Sequence, residues 1–394
     1  MTIYDNRTER LHGLDSLRAI MMLLGLVLHS AITYGTIPYG EAWPLKDPDT
    51  TNIMFDLSVV YIHTFRMPVF FIIAGFFGAL LFYERSPRKM LNNRIKRIVF
   101  SFIVFVILLW PFVVFAIVFS TAAFAGEAAP LAKALAVFNS PLILIPGDTM
   151  HLWFLYYLIY FSFAGWLFGR FQIKFSGVSD KMQKAYQFMM RSSLLRPLIF
   201  AAITFVGLRI AGLSWMEKTG GFIPALKPII LYFIFYLFGW LLYGSKHLLN
   251  GLNRRAWLIF AAANFMFLVK IVLSQTAGIT IMAAVNSLTT WLFIFSIMGL
   301  FLRYFNRHSK SMRYISDSSY WIYLLHLPFT AFFPAFLVGT GLPVIVKFLL
   351  VTGITTIICV VSYGFFIRGS FVGKFLNGRK YPVIQKQHSL TCDV

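Results

Sequence analysis

Charge is what this 394-residue sequence has least of: Asp, Glu, Lys and Arg together make up 12%, where a soluble domain carries about 25%. That shortage excludes an ordinary water-soluble chain. It also excludes a disordered one, which needs polar and charged residues to stay solvated. The two cysteines, Cys359 and Cys392, have no partners at metal-ligand spacing, so neither a disulfide scaffold nor a zinc site is expected. The sequence has no P-loop, no His-x-x-x-His pair, no acidic metal cluster and no Gly-x-Ser-x-Gly turn, which argues against a nucleotide-driven pump. No carboxylate falls at the centre of an apolar run, which argues against ion-coupled transport.

Apolar residues fill the space that charge leaves. They make up 59% of the chain, with 18% aromatic, and the mean hydropathy is +0.75. A membrane-spanning helix needs about 20 mostly apolar residues. Ten such runs occur, at roughly 17–34, 59–83, 98–125, 152–169, 197–215, 224–244, 256–273, 278–302, 315–338 and 343–367. They are too long and too uniformly apolar for barrel strands. The expected fold class is an all-α polytopic integral membrane protein of about ten transmembrane helices. Residues 1–375 form one transmembrane domain and 376–394 a polar cytoplasmic tail.

The net charge of +21 would suggest nucleic acid on a soluble protein. Here the Lys and Arg residues crowd alternate connections, such as Arg85–Arg97 and Arg170–Arg196, while the other connections hold only Lys46, Lys133, Lys218 and Lys227. Basic loops stay on the cytoplasmic side. Both termini are therefore expected in the cytoplasm, with anionic lipid as a partner and no nucleic acid.

Ionisable side chains inside apolar runs are functional candidates, because hydrocarbon disfavours them. In the first run Asp15 and Arg18 are three residues apart and can pair. Arg18 and His29 are 11 apart; at about 100° per residue they share one helix face. An inner anchor and a core histidine would satisfy the same pattern. His63 and Arg66 share a face of the second run, ahead of Pro68. His151 and Trp153 open the fourth. The ninth starts at Ser316-Asp317-Ser318 and carries Tyr320, Tyr323 and His326, with Pro328 expected to kink it. Hydrogen-bonded core histidines and interfacial caps are the bland alternatives. Arg209, Lys270 and Lys347 lie near helix ends, where a long side chain can snorkel to the interface.

Five pieces, in order, are Leu14-Asp15-Ser16-Leu17-Arg18 with His29 after it, Phe65-Arg66-Met67-Pro68-Val69-Phe70-Phe71 leading to Ala74-Gly75-Phe76, Arg94-Ile95-Lys96-Arg97-Ile98, His151-Leu152-Trp153-Phe154-Leu155, and Tyr320-Trp321-Ile322-Tyr323-Leu324-Leu325-His326. Together they resemble the membrane acyltransferase-3 family along nearly the whole chain. Within it the chain looks most like the branch that puts succinyl groups on periplasmic glucans. Two departures are Leu327, where many of that branch have a second histidine, and Ala74, where the family commonly has serine. The resemblance implies an enzyme of the bacterial inner membrane that takes an acyl group from cytoplasmic acyl-CoA, succinyl-CoA or acetyl-CoA, and passes it to a hydroxyl of an envelope glycan. No metal is implied. It also implies His29 as general base or acyl carrier, with Arg66 or Trp153 at the oxyanion. Asp15, Arg18, His63, Arg94, Arg97, His151, Tyr320, Tyr323 and His326 are left to bind substrates. O-acetylation of lipopolysaccharide or another surface polysaccharide is the second enzyme reading; a transporter of an envelope sugar compound is the alternative of another class.

Overall fold

In hydrocarbon the backbone must satisfy its own N–H and C=O groups, and an open apolar chain does so as α-helix. The computed structural model describes residues 11–216 and 220–377, and among these there is no strand. The helices are α1 (His12–Ile32), α2 (Ile53–Glu84), α3 (Pro87–Arg94), α4 (Phe100–Phe124), α5 (Pro130–Leu135), α6 (Trp153–Lys174) and α7 (Ser176–Met190). They continue with α8 (Leu195–Ala211), α9 (Leu226–Gly244), α10 (Ala256–Leu273), α11 (Ile279–Tyr304), α12 (Lys310–Phe332), α13 (Val344–Ser362) and α14 (Phe371–Asn377). Local chemistry sets several starts: the side chains of Asn52, Ser86 and Ser309 accept hydrogen bonds from Met54, Lys89 and Met312 N–H. A π-helical turn, Ile95–Val99, joins α3 to α4.

Nine helical segments among the described residues are long and apolar enough to cross a membrane. The run expected at 197–215 forms α8, shorter at 17 residues, because Gly212 turns into the left-handed region at φ 72° and ends it at Ala211. The outer faces of these helices are apolar: Ile103, Val104, Ile107 and Leu108 on α4, and Phe265, Leu268 and Val272 on α10, are exposed in the protein alone. This is the surface that lipid covers. α14 continues past residue 375, and its Leu376 is buried; the rest of the tail, 378–394, lies outside the described residues.

The interior is built on close crossings. α2 packs along α9, where a Cβ on Gly75 would stand 2.0 Å from Tyr236 O and one on Gly239 would stand 1.9 Å from Ile72 O. Only glycine admits that approach, which buries aromatic side chains such as Phe71, Phe161, Tyr232 and Trp240 around it. α1 packs on α12 and α2, and α6 on α2. α1, α2, α6 and α12 thus surround a common centre.

Candidate active site

Three histidines from three helices meet at that centre. The ring centroids of His29 and His326 are 5.3 Å apart, and those of His151 and His326 are 5.0 Å apart. His151 and His326 are buried, at 5% and 1% exposure; His29 is partly exposed. His29 is therefore the accessible member of the cluster.

Proline explains part of the geometry. Pro328 has no N–H to give to Leu324 O, four residues earlier in α12. Nε2 of His151 lies 3.0 Å from that carbonyl and donates to it. Nδ1 of His326 lies 2.7 Å from Tyr323 O. A carbonyl can only accept, so His151 carries its proton on Nε2 and His326 on Nδ1. Nδ1 of His151 and Nε2 of His326 are then lone-pair sites, and neither has a hydrogen-bond partner among the described residues. The Tyr323 hydroxyl donates to His151 O at 2.8 Å, fixing the start of α6 to α12. Pro68 repeats the device in α2: it frees Thr64 O, which accepts from Thr290 Oγ1 at 3.1 Å.

Arg66 enters from α2, one turn after His63. Its guanidinium lies on the backbone of Gly25, where a Cβ would meet Nη1 at 2.2 Å. Gly25 is one turn before His29 on the same face of α1. Arg66 is buried, and its charge acts on His151, His326, Tyr232 and Tyr323. His151 is held from its other side by an unusual backbone. Met150 adopts φ 51°, which a non-glycine residue rarely takes. The Asp148 carboxylate accepts from Met150 N–H, and Thr149 N–H donates to Gly220 O at 3.0 Å.

A cavity of about 340 Å³ opens at the α1 end that carries Asp15. Asp15, Arg18, Met22, Arg94, Arg97 and Tyr320 line it, with Ala74 and Phe154. Arg18 pairs with Asp15 at 3.7 Å. Arg94 donates to Ala74 O at 3.3 Å, and Tyr320 donates to Arg97 O at 3.0 Å. Arg18 and Met22, which line the cavity, and Gly25 and His29 further along α1 share one face of that helix.

At the other end of α1 the loop 33–52 folds back over the cluster. The indole of Trp43 lies 5.7 Å from the His29 ring and donates to Thr33 Oγ1 at 3.0 Å. Asp56 accepts from Thr36 and Ile37 N–H, tying the loop to α2. Lys347 ties it to α13, donating to Asp47 at 3.0 Å and to Asp49 at 2.8 Å. The Lys347 side chain is fully buried, so it does not snorkel as its position near a helix end suggested: two loop carboxylates keep it inside. The Lys347 hydrogen bond, and then Gly339 N–H, hold Asp49 below the usual carboxylate range. Burial, and then the Asp56 charge, push the Tyr39 phenol up.

Of the residues expected at the site, His29, Arg66, His151, Tyr323 and His326 come together, and Asp15, Arg18, Arg94, Arg97 and Tyr320 line the cavity. Trp153 stands apart from the histidine rings, packed on Phe71, Tyr157 and Tyr232. His63 is half-buried, one turn before Arg66 on α2. Lys270 is set into a helix contact, donating to Thr64 Oγ1 at 3.0 Å. Sequence reasoning missed Trp43, Gly25, Asp47 and Asp49, because loop closure and a glycine facing an arginine leave no periodic signal.

Fold and site define a polytopic membrane protein with a histidine cluster and an arginine-lined cavity that share one face of α1. Residues 11–364 match the family described as Acyltransferase domain (Acyl_transf_3), and the chain belongs to that family. It is similar to Glucans biosynthesis protein C of Escherichia coli, at 26% identity over 348 residues for both strain SMS-3-5 / SECEC and strain K12. The match covers 84% of this chain and 84% of each relative. No solved structure matches the chain. The motifs along the sequence thus pointed to the right family and to this branch of it.

Proposed function

We propose that the protein is a transmembrane O-acyltransferase that moves an acyl group, succinyl as first choice, from cytoplasmic acyl-CoA to a hydroxyl of a periplasmic glucan. This reading has it lie in the bacterial inner membrane with both termini in the cytoplasm, among anionic lipids. One observation carries it: His29 is the accessible histidine of the cluster and lies on the same α1 face as the arginine-lined cavity. A donor made on one side of the membrane and an acceptor found on the other can meet there without CoA crossing. The glucan acceptor is taken from the name of the similar Escherichia coli proteins.

In this reading Arg18, Arg94 and Arg97 hold the CoA phosphates as charge-assisted pairs, and Asp15 orients Arg18. The thioester reaches up past Met22. A glucan hydroxyl gives its proton to His29 and its oxygen attacks the thioester carbonyl. The negative tetrahedral oxygen forms beside the buried Arg66 guanidinium, whose charge stabilises it. Collapse expels the CoA thiolate, which takes the proton back from the His29 imidazolium. The ester and free CoA leave, and the imidazole is neutral again. His326, tautomerically fixed, positions the His29 ring. Transfer through an acyl-histidine is the other order of events.

The test is His29→Ala in purified protein supplied with labelled succinyl-CoA or acetyl-CoA and a gluco-oligosaccharide. Turnover should fall about 10²–10⁴-fold, the usual contribution of general base catalysis, while CoA still raises the unfolding temperature. A folded variant with near-normal transfer sinks the role of His29. Preference for one labelled donor decides the acyl group, and label retained on the wild type without acceptor indicates the covalent order.

A further inference from the structure

A second cavity, of about 440 Å³, lies under the loop 33–52 at the opposite end of α1 from the arginine-lined one. Its size is that of a small-molecule site. Its walls combine Tyr39 and Trp43 with Ile32 and Leu45, and two charged side chains, Glu41 and Lys46, stand in the same lining. Nζ of Lys46 is shielded from solvent and has no hydrogen-bond partner among the described residues. A shielded ammonium without an acceptor is unfavourable and fits a ligand that brings one. Trp43 belongs to two places at once: it lines this cavity and its ring lies 5.7 Å from that of His29.

We infer that this cavity is the subsite for the acceptor, and that it takes a neutral pyranose unit of a glycan. Aromatic rings offer flat apolar faces to the C–H side of a sugar ring. A carboxylate and an ammonium in the same lining offer an acceptor and donors to its hydroxyls. The sugar unit bound there is one aromatic ring away from the base. The inference rests on the transferase reading for its biological meaning, but binding can be measured without turnover.

The experiment is calorimetric titration of a β-linked gluco-oligosaccharide into the purified full chain in detergent, with no acyl-CoA present. Wild type should bind. Lys46→Met and Glu41→Gln should each weaken binding about tenfold, the scale of one charge-assisted hydrogen bond, and Tyr39→Leu should weaken it as well. Unfolding temperature with and without CoA shows that each variant is folded; Tyr39→Phe replaces Tyr39→Leu if that protein is not. Equal affinity in wild type and variants overturns the inference, and so does a wild type that does not bind. Phospholipid retained by wild type and lost from Tyr39→Leu also overturns it, by naming a lipid as the occupant. If wild type binds the sugar but transfers no acyl group, the transferase reading fails and the subsite stands. If His29 carries transfer while Tyr39, Glu41 and Lys46 leave sugar binding unchanged, the reverse holds.

Discussion

The two ends of α1 are built by different means. At the Asp15 end, the charged groups stand on helices and face one cavity: Asp15 and Arg18 on α1, Arg94 on α3, and Arg97 on the turn that follows. Asp15 and Arg18 are three residues apart on one helix, and so, along the chain, are Arg94 and Arg97. At the Trp43 end a loop is closed by ion pairs between residues about three-quarters of the chain apart, with 300 positions between Asp47 and Lys347. The first arrangement is partly exposed, with the Arg18 side chain, paired with Asp15, at 39% exposure. The second is a tertiary lock in which Lys347 and Asp47 are buried, so removing one strands the other.

The sharpest way to break that contrast is Lys347→Met. It leaves the fully buried Asp47 carboxylate without its counter-ion. Losing one partner of a buried pair costs about 3–5 kcal/mol. Thermal unfolding in detergent should show a clear drop in the variant. By contrast Arg18→Ala, which removes a half-exposed pair, should shift stability by under about 1 kcal/mol. Similar shifts for the two would mean that the ends are not built differently. Lys347→Met combined with Asp47→Leu should recover much of the loss, since an apolar replacement of a whole buried pair is often neutral.

The next effect falls on chemistry rather than on stability. In Gly25→Ala the new Cβ would stand 2.2 Å from Arg66 Nη1, so the guanidinium must move. The end of a side chain can shift where a backbone cannot, so the fold should survive. A displacement of about 1 Å at a catalytic group can cost about 10²-fold in rate. Steady-state kinetics and thermal unfolding on one preparation check both halves. A wild-type rate in the folded variant would remove Arg66 from the mechanism.

The same contrast explains what could be read from the sequence. Helix geometry is local, so the apolar runs gave the helices, and the 11-residue spacing put His29 above Arg18 on the face that lines the cavity. That Asp15, Arg18, Arg94, Arg97 and Tyr320 bind substrate was implied by the family resemblance, and the structure sets all five round one cavity. Tertiary pairing is not local. Nothing in the spacing of His29, His151 and His326 shows that the His326 ring lies against both of the others. Trp153, two residues after His151 in sequence, packs instead among Phe71, Tyr157 and Tyr232. Lys347 looks like a snorkelling lysine until the loop 33–52 is folded over it. Pro328 was legible as a kink; which side chains occupy the carbonyls that it and Pro68 free was not, because those partners come from other helices.

The smallest effect sharpens the contrast through pH. Asp49 lies in the loop, outside the spanning helices, and is the exposed partner of the lock, with its side chain at 32% exposure. The Lys347 ammonium and Gly339 N–H hold its carboxyl below the usual range, while in the unfolded chain it titrates near 3.9. A carboxyl whose folded pKa is depressed contributes stability that is fully present above the unfolded value and is lost as pH falls through the folded one. The window therefore opens near pH 4 and extends below it. Asp49→Asn should lower the unfolding temperature slightly at pH 7. Between pH 5 and pH 3 its unfolding temperature should fall less steeply than that of wild type. Added salt should shrink the difference at pH 7, because an exposed carboxylate is screened. Parallel acid limbs for the two proteins would show that Asp49 adds nothing to the lock and that Asp47 alone holds Lys347.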